Sequence, residues 1–466
     1  MKVLFINPPG DLELEYGELK DSGALYPSLG LACVAAIALE EGHDVTVIDA
    51  EASQLDLAAV RQQLEHLAPD VVGLQAFCTT QSRIIDIASM VKEVSPQTII
   101  VLGGVQVTLF KTQLFEHNPF DFGVYGEGEE VFRNLLRAIS ERSPLEKVNG
   151  IIWRKEGKCI VNEPQPLIQD LDTLPFPALQ LFPLDKYHSS SQLRGNKTLH
   201  IMTSRGCPYR CVYCTSNIIF GKTHRYFSCD RIIKEIHHMM THYGADSIQF
   251  YDEVFTMNRK RVMELCQALI DDGCPIPWTC FTRVNLVDRE LLEKMAAAGC
   301  YQIFYGLESG VQRLLDLIQK DITLEQIKVA IRETRRAGIE SVASFMLTIP
   351  TETVAEAEQT IRFGLEVDPD YVYWLTCTPY PGTGLHALAL NNGQILRKDF
   401  SKFNVFNEIV YLPEGRELEE VTKTVKKAYR RFYGRPRYIA RRLRSLRKLP
   451  PWKLWNLVKS GLRMFY

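Results

Sequence analysis

The chain has 466 residues, 46% of them hydrophobic and 24% charged. This is ordinary globular usage; it excludes a disordered chain, a collagen-like repeat and a disulfide-stapled mini-protein, and the length suits about two to four domains. Net charge is −2, but residues 421–466 hold fifteen Lys or Arg and no acid, which leaves residues 1–420 at −17. An acidic body with a basic tail is an asymmetry that any functional reading has to explain.

The first ten residues, MKVLFINPPG, carry one Lys, a short apolar run and two prolines, which predicts a buried strand and not an export signal. No apolar run reaches the ~18 residues of a membrane span. The twelve cysteines are therefore expected as reduced thiols of a cytoplasmic protein, acting as metal or redox ligands where they cluster.

Short apolar runs at 3–6, 44–48, 71–74, 98–102 and 122–125 alternate with helical stretches at 29–39, 55–67, 82–93 and up to about 139. The pattern predicts a doubly wound parallel-sheet domain over residues 1–145, with ligands beyond the carboxyl ends of its strands. A hairpin about Gly157 and five prolines between 164 and 183 predict a linker over 146–195. Over 196–410, strands are expected at 198–204, 246–251, 277–282, 301–306, 341–347 and 370–376, with helices between them. Six β/α units suit a partial (β/α)6 barrel. Residues 411–466 read as a basic helical region.

The chemistry concentrates in Cys207-Pro208-Tyr209-Arg210-Cys211-Val212-Tyr213-Cys214, directly after the first barrel strand. Three thiolates spaced C-x3-C-x2-C can hold three irons of a 4Fe–4S cluster and leave the fourth open. The alternatives are structural zinc, with His224 or Cys229 as a fourth ligand, and three unrelated core cysteines.

The triplet resembles the signature of the radical S-adenosylmethionine (SAM) superfamily, in which SAM chelates the open iron. Further stretches are similar to that family in order: Tyr251-Asp252-Glu253, Thr282-Arg283, Gly306-Leu307-Glu308-Ser309-Gly310 and Pro379-Tyr380-Pro381-Gly382-Thr383. The resemblance implies that Asp252 and Glu253 receive the SAM amino group, Arg283 pairs with its carboxylate, Glu308 faces the ribose and Tyr213 lies near the adenine. Taken singly, Asp252 and Glu253 have a second, less favoured reading as helix N-terminal acids, Glu308 as a helix cap and Arg283 as a surface residue. One departure stands out. Thr348-Ile349-Pro350-Thr351-Glu352 occupies the place of a Gly-x-Pro-Gly-Glu stretch, so contacts at the fifth strand are expected to differ.

Residues 1–140 resemble the cobalamin-binding domain fused to many radical SAM enzymes, through Asn7-Pro8-Pro9, 26–31, 42–45, Gly103-Gly104 and 126–129. The resemblance, which spans about residues 1–410, places cobalamin against Gly103, Gly104, Gln75, Thr79 and Glu127. No Asp-x-His-x-x-Gly follows the first strand, so no histidine lower ligand to cobalt is expected, and His43 reads as a turn residue. A vestigial domain without cofactor is the alternative. A second cluster on Cys33, Cys78 and Cys159, as in methylthiotransferases, is weighed against their reading as packing residues.

The implied activity is reductive cleavage of SAM to a 5′-deoxyadenosyl radical, with cobalamin serving methylation of an unactivated carbon. The alternatives are cyclisation or carbon–carbon coupling, and, in another class, a non-enzymatic binder of membrane surfaces or nucleic acid. No essential acid or base is identifiable. Expected partners are a small, lipid-like substrate and an electron donor such as flavodoxin or ferredoxin. The tail, densest over 435–448 and followed by Trp452 and Trp455, suits peripheral contact with an anionic inner-membrane face, against the plainer reading of a helix docked on the barrel. Nucleic acid is disfavoured, because basic charge alone is unspecific.

Overall fold

The computed structural model describes residues 1–10, 23–190, 192–273, 276–397, 399–404, 408–446 and 455. These form two compact units. The first holds the N-terminal strand, Leu25–Tyr187 and Thr215–Arg225; the second holds His188–Cys214 and the chain from Tyr226 onward.

The first unit alternates β1 (Lys2–Asn7), α1 (Leu29–Glu40), β2 (Asp44–Asp49), α2 (Leu57–Leu67), β3 (Val71–Gln75), α3 (Gln81–Val94), β4 (Ile99–Gly103), α4 (Val105–Phe110), β5 (Phe122–Val124) and α5 (Gly128–Glu141). The strand order is β2-β1-β3-β4-β5, all parallel. Val3, Leu4, Phe5 and Ile6 are buried in succession, as expected of a parallel strand covered on both faces. The winding reverses between β1 and β3, and the carboxyl ends of those two strands frame the crevice where such sheets take ligands.

The hairpin expected inside a linker instead extends this sheet. Its strands β6 (Ile151–Lys155) and β7 (Lys158–Val161) add antiparallel to β5, with Phe122 opposite Trp153. The physical reason is the bare edge of the short β5, which buried Ile151, Ile152 and Trp153 cover. The proline-rich stretch is also part of this unit: Ala178 N–H donates to Ala32 O at 3.0 Å and Tyr187 Oη to Asp49 Oδ2 at 2.5 Å.

The second unit holds β8 (Thr198–Ile201), α7 (Cys229–Tyr243, after the short α6, Ser216–Phe220, of the first unit), β9 (Ser247–Phe250), α8 (Arg259–Asp271), β10 (Trp278–Thr282), α9 (Arg289–Ala297), β11 (Cys300–Glu308), α10 (Gln312–Leu317), α11 (Leu324–Arg336), β12 (Glu340–Leu347), α12 (Val354–Val367) and β13 (Tyr371–Thr376). Its six parallel strands pair in strict chain order from β8 to β13. Capping boxes start α11 at Thr323/Gln326 and α12 at Thr353/Glu356. One face of the sheet is sealed: Phe250, Trp278, Phe345 and Trp374 are fully buried. On the other face His200, Gln249, Phe281, Phe304, Met346 and Tyr373 are only half-buried.

After α13 (Gly384–Asn391), β14 (Gly393–Ile395) pairs antiparallel with β15 (Tyr411–Pro413), so the C-terminal region opens on a strand before α14 (Leu418–Tyr433) and α15 (Pro436–Leu446). α14 docks on β13. Tyr433 Oη donates to Val372 O at 2.9 Å, and Trp374 N–H donates to Tyr429 Oη at 3.2 Å. Much of the tail's charge is paired: Lys427 and Arg431 with Glu358, Arg435 and Arg441 with Asp368. This is the docked-helix reading as far as Arg441. Trp452 and most of the last twenty residues lie outside the described residues, while Trp455 is 68% exposed.

Candidate active site

The three cysteines sit on the loop that leaves β8, where barrel active sites form. The loop is pinned through Val212. Its N–H donates to Ile318 O (3.1 Å), its carbonyl accepts from Leu385 N–H (2.8 Å), and its side chain packs against the cluster of Leu314, Ile318, Ile349 and Leu385. Cys207 is buried, Cys211 half-buried and Cys214 exposed, all as free thiols. Burial pushes the Cys207 thiol up; a cationic cluster would deprotonate it outright. The loop supplies three thiols, and a closed zinc site needs a fourth ligand. A cube takes each thiolate on a different iron and leaves the fourth iron open, so this three-thiol donor set fits the cluster.

Arg283, at the end of β10, is buried and not a surface residue. Its Nη1 donates to Cys211 Sγ at 3.4 Å, Nη2 to the Lys320 carbonyl and Nε to Asn285 Oδ1 at 3.2 Å. Its guanidinium lies 3.5 Å from the ring centroid of Tyr209, whose hydroxyl accepts from Asn285 at 3.1 Å. The positive group thus stands against a thiol of the cysteine loop, held from four sides.

Glu308, at the end of β11, adopts φ 64°. Its Oε1 accepts from Tyr213 Oη (3.0 Å) and Lys320 Nζ (2.9 Å), and Lys320 also donates to Tyr213 Oη (2.8 Å). A Cβ on Gly306 would come within 2.4 Å of Glu308 Oε1, so glycine there leaves room for the pair. Burial first, and then the Glu308 charge, hold the Tyr213 hydroxyl well above its ordinary value. Tyr213, Glu308 and Lys320 therefore form one polar group beside the cysteines. No motif marks Lys320; only the tertiary fold brings it to Glu308.

Asp252 is buried at the end of β9: Oδ1 accepts from the N–H groups of Thr203 and Ser204 (2.5 and 3.1 Å), and Oδ2 from the Thr203 hydroxyl (2.5 Å). Arg261 caps the Thr203 carbonyl at 2.8 Å. The carboxylate fixes the backbone that enters the cysteine loop. Glu253 is half-buried at the same strand end.

The two threonines of the fifth strand end, Thr348 and Thr351, adopt φ 64° and 68°, a conformation that suits glycine and strains a β-branched residue. Each compensates with its hydroxyl. Thr348 Oγ1 accepts from Cys377 N–H (3.1 Å), and Thr351 Oγ1 from Arg313 (2.9 Å). Glu352 accepts from Thr348 N–H at 2.6 Å and pairs with the buried Arg416 at 3.3 Å; burial pushes its pKa up to about 7. Cys266, Cys280, Cys300 and Cys377 are buried, as packing residues are.

In the first unit, Gln75 ends β3 and accepts from Ser28 Oγ at 2.6 Å. Gly104 adopts φ 100°, and a Cβ there would come within 2.8 Å of Ala76 O. The next loop carries Phe77, 44% exposed, and half-buried Thr79. Gly126 has φ 79° and open space where a Cβ would stand. Small residues and an uncovered ring at the carboxyl ends of β3, β4 and β5 fit a flat macrocycle. Glu127, expected at this rim, is paired inside the unit. It is buried, its two oxygens accept from Arg225 (2.9 and 3.0 Å), and Ile168 N–H donates to it at 2.9 Å. It ties Thr215–Arg225 to the unit. His43 lies beside the amino terminus at 3.4 Å, as a turn residue. Cys33 lies within α1 and Cys159 on β7, on separate elements.

Residues 201–364 match the radical SAM superfamily and residues 19–136 the B12 binding domain. The chain is 33% identical to an uncharacterized methyltransferase of Pyrococcus horikoshii, covering 100% of this chain and 99% of that protein. It is 30% identical to the anaerobic magnesium-protoporphyrin IX monomethyl ester cyclase of Rubrivivax gelatinosus, covering 93% and 77%. The solved structure of TsrM from Kitasatospora setae, a radical S-adenosylmethionine methyltransferase with cobalamin and a [4Fe-4S] cluster bound, matches with a TM-score of 0.72 at 17% identity, covering 93% and 88%; this is a likeness of fold. Fold and cysteine loop together define an iron–sulfur enzyme. The chain belongs to the radical SAM superfamily, among the members with an N-terminal B12-binding domain, and its cofactors are a 4Fe–4S cluster, SAM and cobalamin.

Proposed function

We propose that the enzyme methylates an unactivated carbon of a small hydrophobic molecule. The observation that supports this reading is the joining, in one chain, of the three-cysteine loop after β8 to strand ends of β3, β4 and β5 suited to cobalamin, aligned end to end with a methyltransferase relative. In this reading Cys207, Cys211 and Cys214 hold the cluster. Tyr213, Glu308 and Lys320 offer SAM a polar wall, Glu253 is the acid for its amino group, and Gly103, Gly104, Gln75 and Thr79 border cobalamin. When bound, these cofactors supply reductive cleavage of a sulfonium and a transferable methyl group. The chain's own part is to orient them and exclude water. Arg283 holds Cys211 and leaves the SAM carboxylate to other donors, since its three nitrogens already have protein partners.

Electrons come from a flavodoxin- or ferredoxin-type donor in the cytoplasm. Among the described residues no helix is long and apolar enough to cross a membrane. Contact with an anionic membrane surface is assigned to the basic residues beyond Arg441 with Trp455, and flotation with anionic vesicles against a chain ending at 446 tests it. The principal test is anaerobic incubation of the reconstituted protein with cell extract and SAM deuterated in its methyl group. Deuterium in a new product supports methylation. A new product that lacks the label, formed with SAM cleavage, supports the cyclase reading that the second relative favours. A protein that binds about four irons yet never cleaves SAM overturns both.

A further inference from the structure

The half-open face of the second sheet carries a row of rings that the cofactor-holding residues do not use. His200 of β8 stacks on Tyr251, the residue after β9, with centroids 4.8 Å apart and planes at 12°. Tyr251 meets Phe281 of β10 edge-on at 5.3 Å, Phe281 meets Phe304 of β11 at 5.2 Å, and Phe304 meets Tyr373 of β13 at 6.0 Å. Register confirms one face: His200 pairs with Gln249, Phe281 with Phe304, and Ser344 with both Gly306 and Tyr373. In parallel ladders such partners point the same way.

Burial separates these rings from those on the sealed face. Phe250, Phe345 and Trp374 are covered completely, whereas Tyr251 keeps 49% of its surface uncovered and the others are half-buried. Exposed aromatic surface on a barrel's interior face is what a ligand covers. The row also lies next to the chemistry. Phe281 is two residues before Arg283, whose guanidinium touches Cys211, and two residues of strand span ~7 Å. None of the five rings carries a charge: burial holds His200 down to about 4 and therefore neutral. Polar groups on this face are His200, the Tyr251 hydroxyl, half-buried Gln249 and Tyr373, whose hydroxyl donates to Gln192 at 3.0 Å.

We infer that this row is the substrate wall, and that the molecule it takes is an uncharged, flat, ring-bearing apolar compound lying against Tyr251 and Phe281 with a hydrogen-bonding group at the His200 end. The inference rests on the proposed function, because it names the substrate class of the same site. Because Tyr251 and Phe281 stand at 78° to each other, a flat ring laid parallel to Tyr251 meets Phe281 edge to face, and both are favoured aromatic geometries that a flexible acyl chain cannot make.

The probe is 1-pyrenemethanol, uncharged and flat, with dodecanol as the flexible competitor, measured by anaerobic equilibrium dialysis of the cluster-loaded, SAM-bound protein. The wild type should hold about one pyrenemethanol. Its Kd should rise about tenfold in Tyr251→Ala and in Phe281→Ala and less than about threefold in Tyr251→Phe, which keeps the ring. Dodecanol should not displace it. Equal binding by wild type and both alanine variants, or displacement by dodecanol at equal concentration, overturns the inference. Iron content is read on every sample, and Phe281→Leu replaces Phe281→Ala if the latter loses its cluster. SAM cleavage by the wild type separates the two ideas. Intact cleavage with unchanged probe binding removes only the substrate wall, whereas no cleavage removes the functional reading beneath it.

Discussion

In the first sheet, β1 buries four consecutive side chains and leaves its ligand site to the strand ends, where the winding reverses between β1 and β3. In the second sheet the strands run in chain order with no reversal, and alternate residues differ: one face is sealed by helices and the other is half-open. The same β/α unit therefore makes two kinds of site. A reversal creates a crevice at a sheet's end and lets both faces be core. A monotonic order leaves one face partly open, where His200, Gln249, Phe281, Phe304, Met346 and Tyr373 are only half-buried. The first arrangement suits a cofactor held at an edge; the second suits a molecule enclosed beside a reactive rim.

The largest expected effect is at that rim. Changing Cys207, Cys211 or Cys214 to Ala should remove bound iron and all SAM cleavage while circular dichroism stays native, because the loop is held by Val212 and not by the thiols. Iron retained in the triple variant would break the assignment. Next come the buried charges of the first unit. Glu127→Ala leaves Arg225 buried and unpaired, which should cost about 3–5 kcal/mol in urea melts. Glu127→Gln should lower stability but leave cobalamin affinity of the folded protein unchanged; a large loss of affinity at full stability would return Glu127 to the cofactor rim.

The two faces of the second sheet should separate next. Phe250→Ala on the sealed face should cost about 3–5 kcal/mol, and Phe281→Ala on the open face about 1 kcal/mol, since less contact is lost there. Equal costs would mean that both faces are core. The smallest effect concerns the helix that covers the sheet's last strand. Hydrogen bonds from Lys427, Arg431 and Arg362 outweigh the opposing effect of burial and hold Glu358 down to about 2. Its folded pKa lies below the 4.5 of the free group, so its contribution is complete above about 4.5 and is lost as the pH falls toward 2. Glu358→Gln should flatten the acid limb of the stability profile in that window, by about 1 kcal/mol or less.

Both sheets, nearly every helix and the cysteine loop were legible in the sequence, because alternating apolar runs and cap residues such as Ser28, Thr323 and Thr353 are local signals. What escaped was tertiary. The hairpin at 151–161 looked like part of a linker because edge pairing with β5 leaves no local trace. Lys320 completes the Tyr213–Glu308 group from another loop, and Arg225 neutralises Glu127 across 98 residues of chain. Asp252 stood at the expected strand end, but its direction depended on Thr203, which no motif pairs with it. The threonines replacing glycine predicted a change at the fifth strand. That they keep the left-handed backbone and hold it with their hydroxyls is visible only in three dimensions.

The first unit is not a continuous piece of polypeptide. Thr215–Arg225 belongs to it, and Arg225 supplies the partner of its buried Glu127. On the ribosome the N-terminal part emerges first, yet this unit is complete only when residue 225 is out. By then Cys207, Cys211 and Cys214 have already been synthesised. A fragment cut after residue 195 would lack Arg225, the partner of Glu127, and should be less stable than the complete unit. The order of synthesis thus makes the iron loop older than the finished front half, and any transplant of that half to another scaffold has to bring these eleven later residues with it.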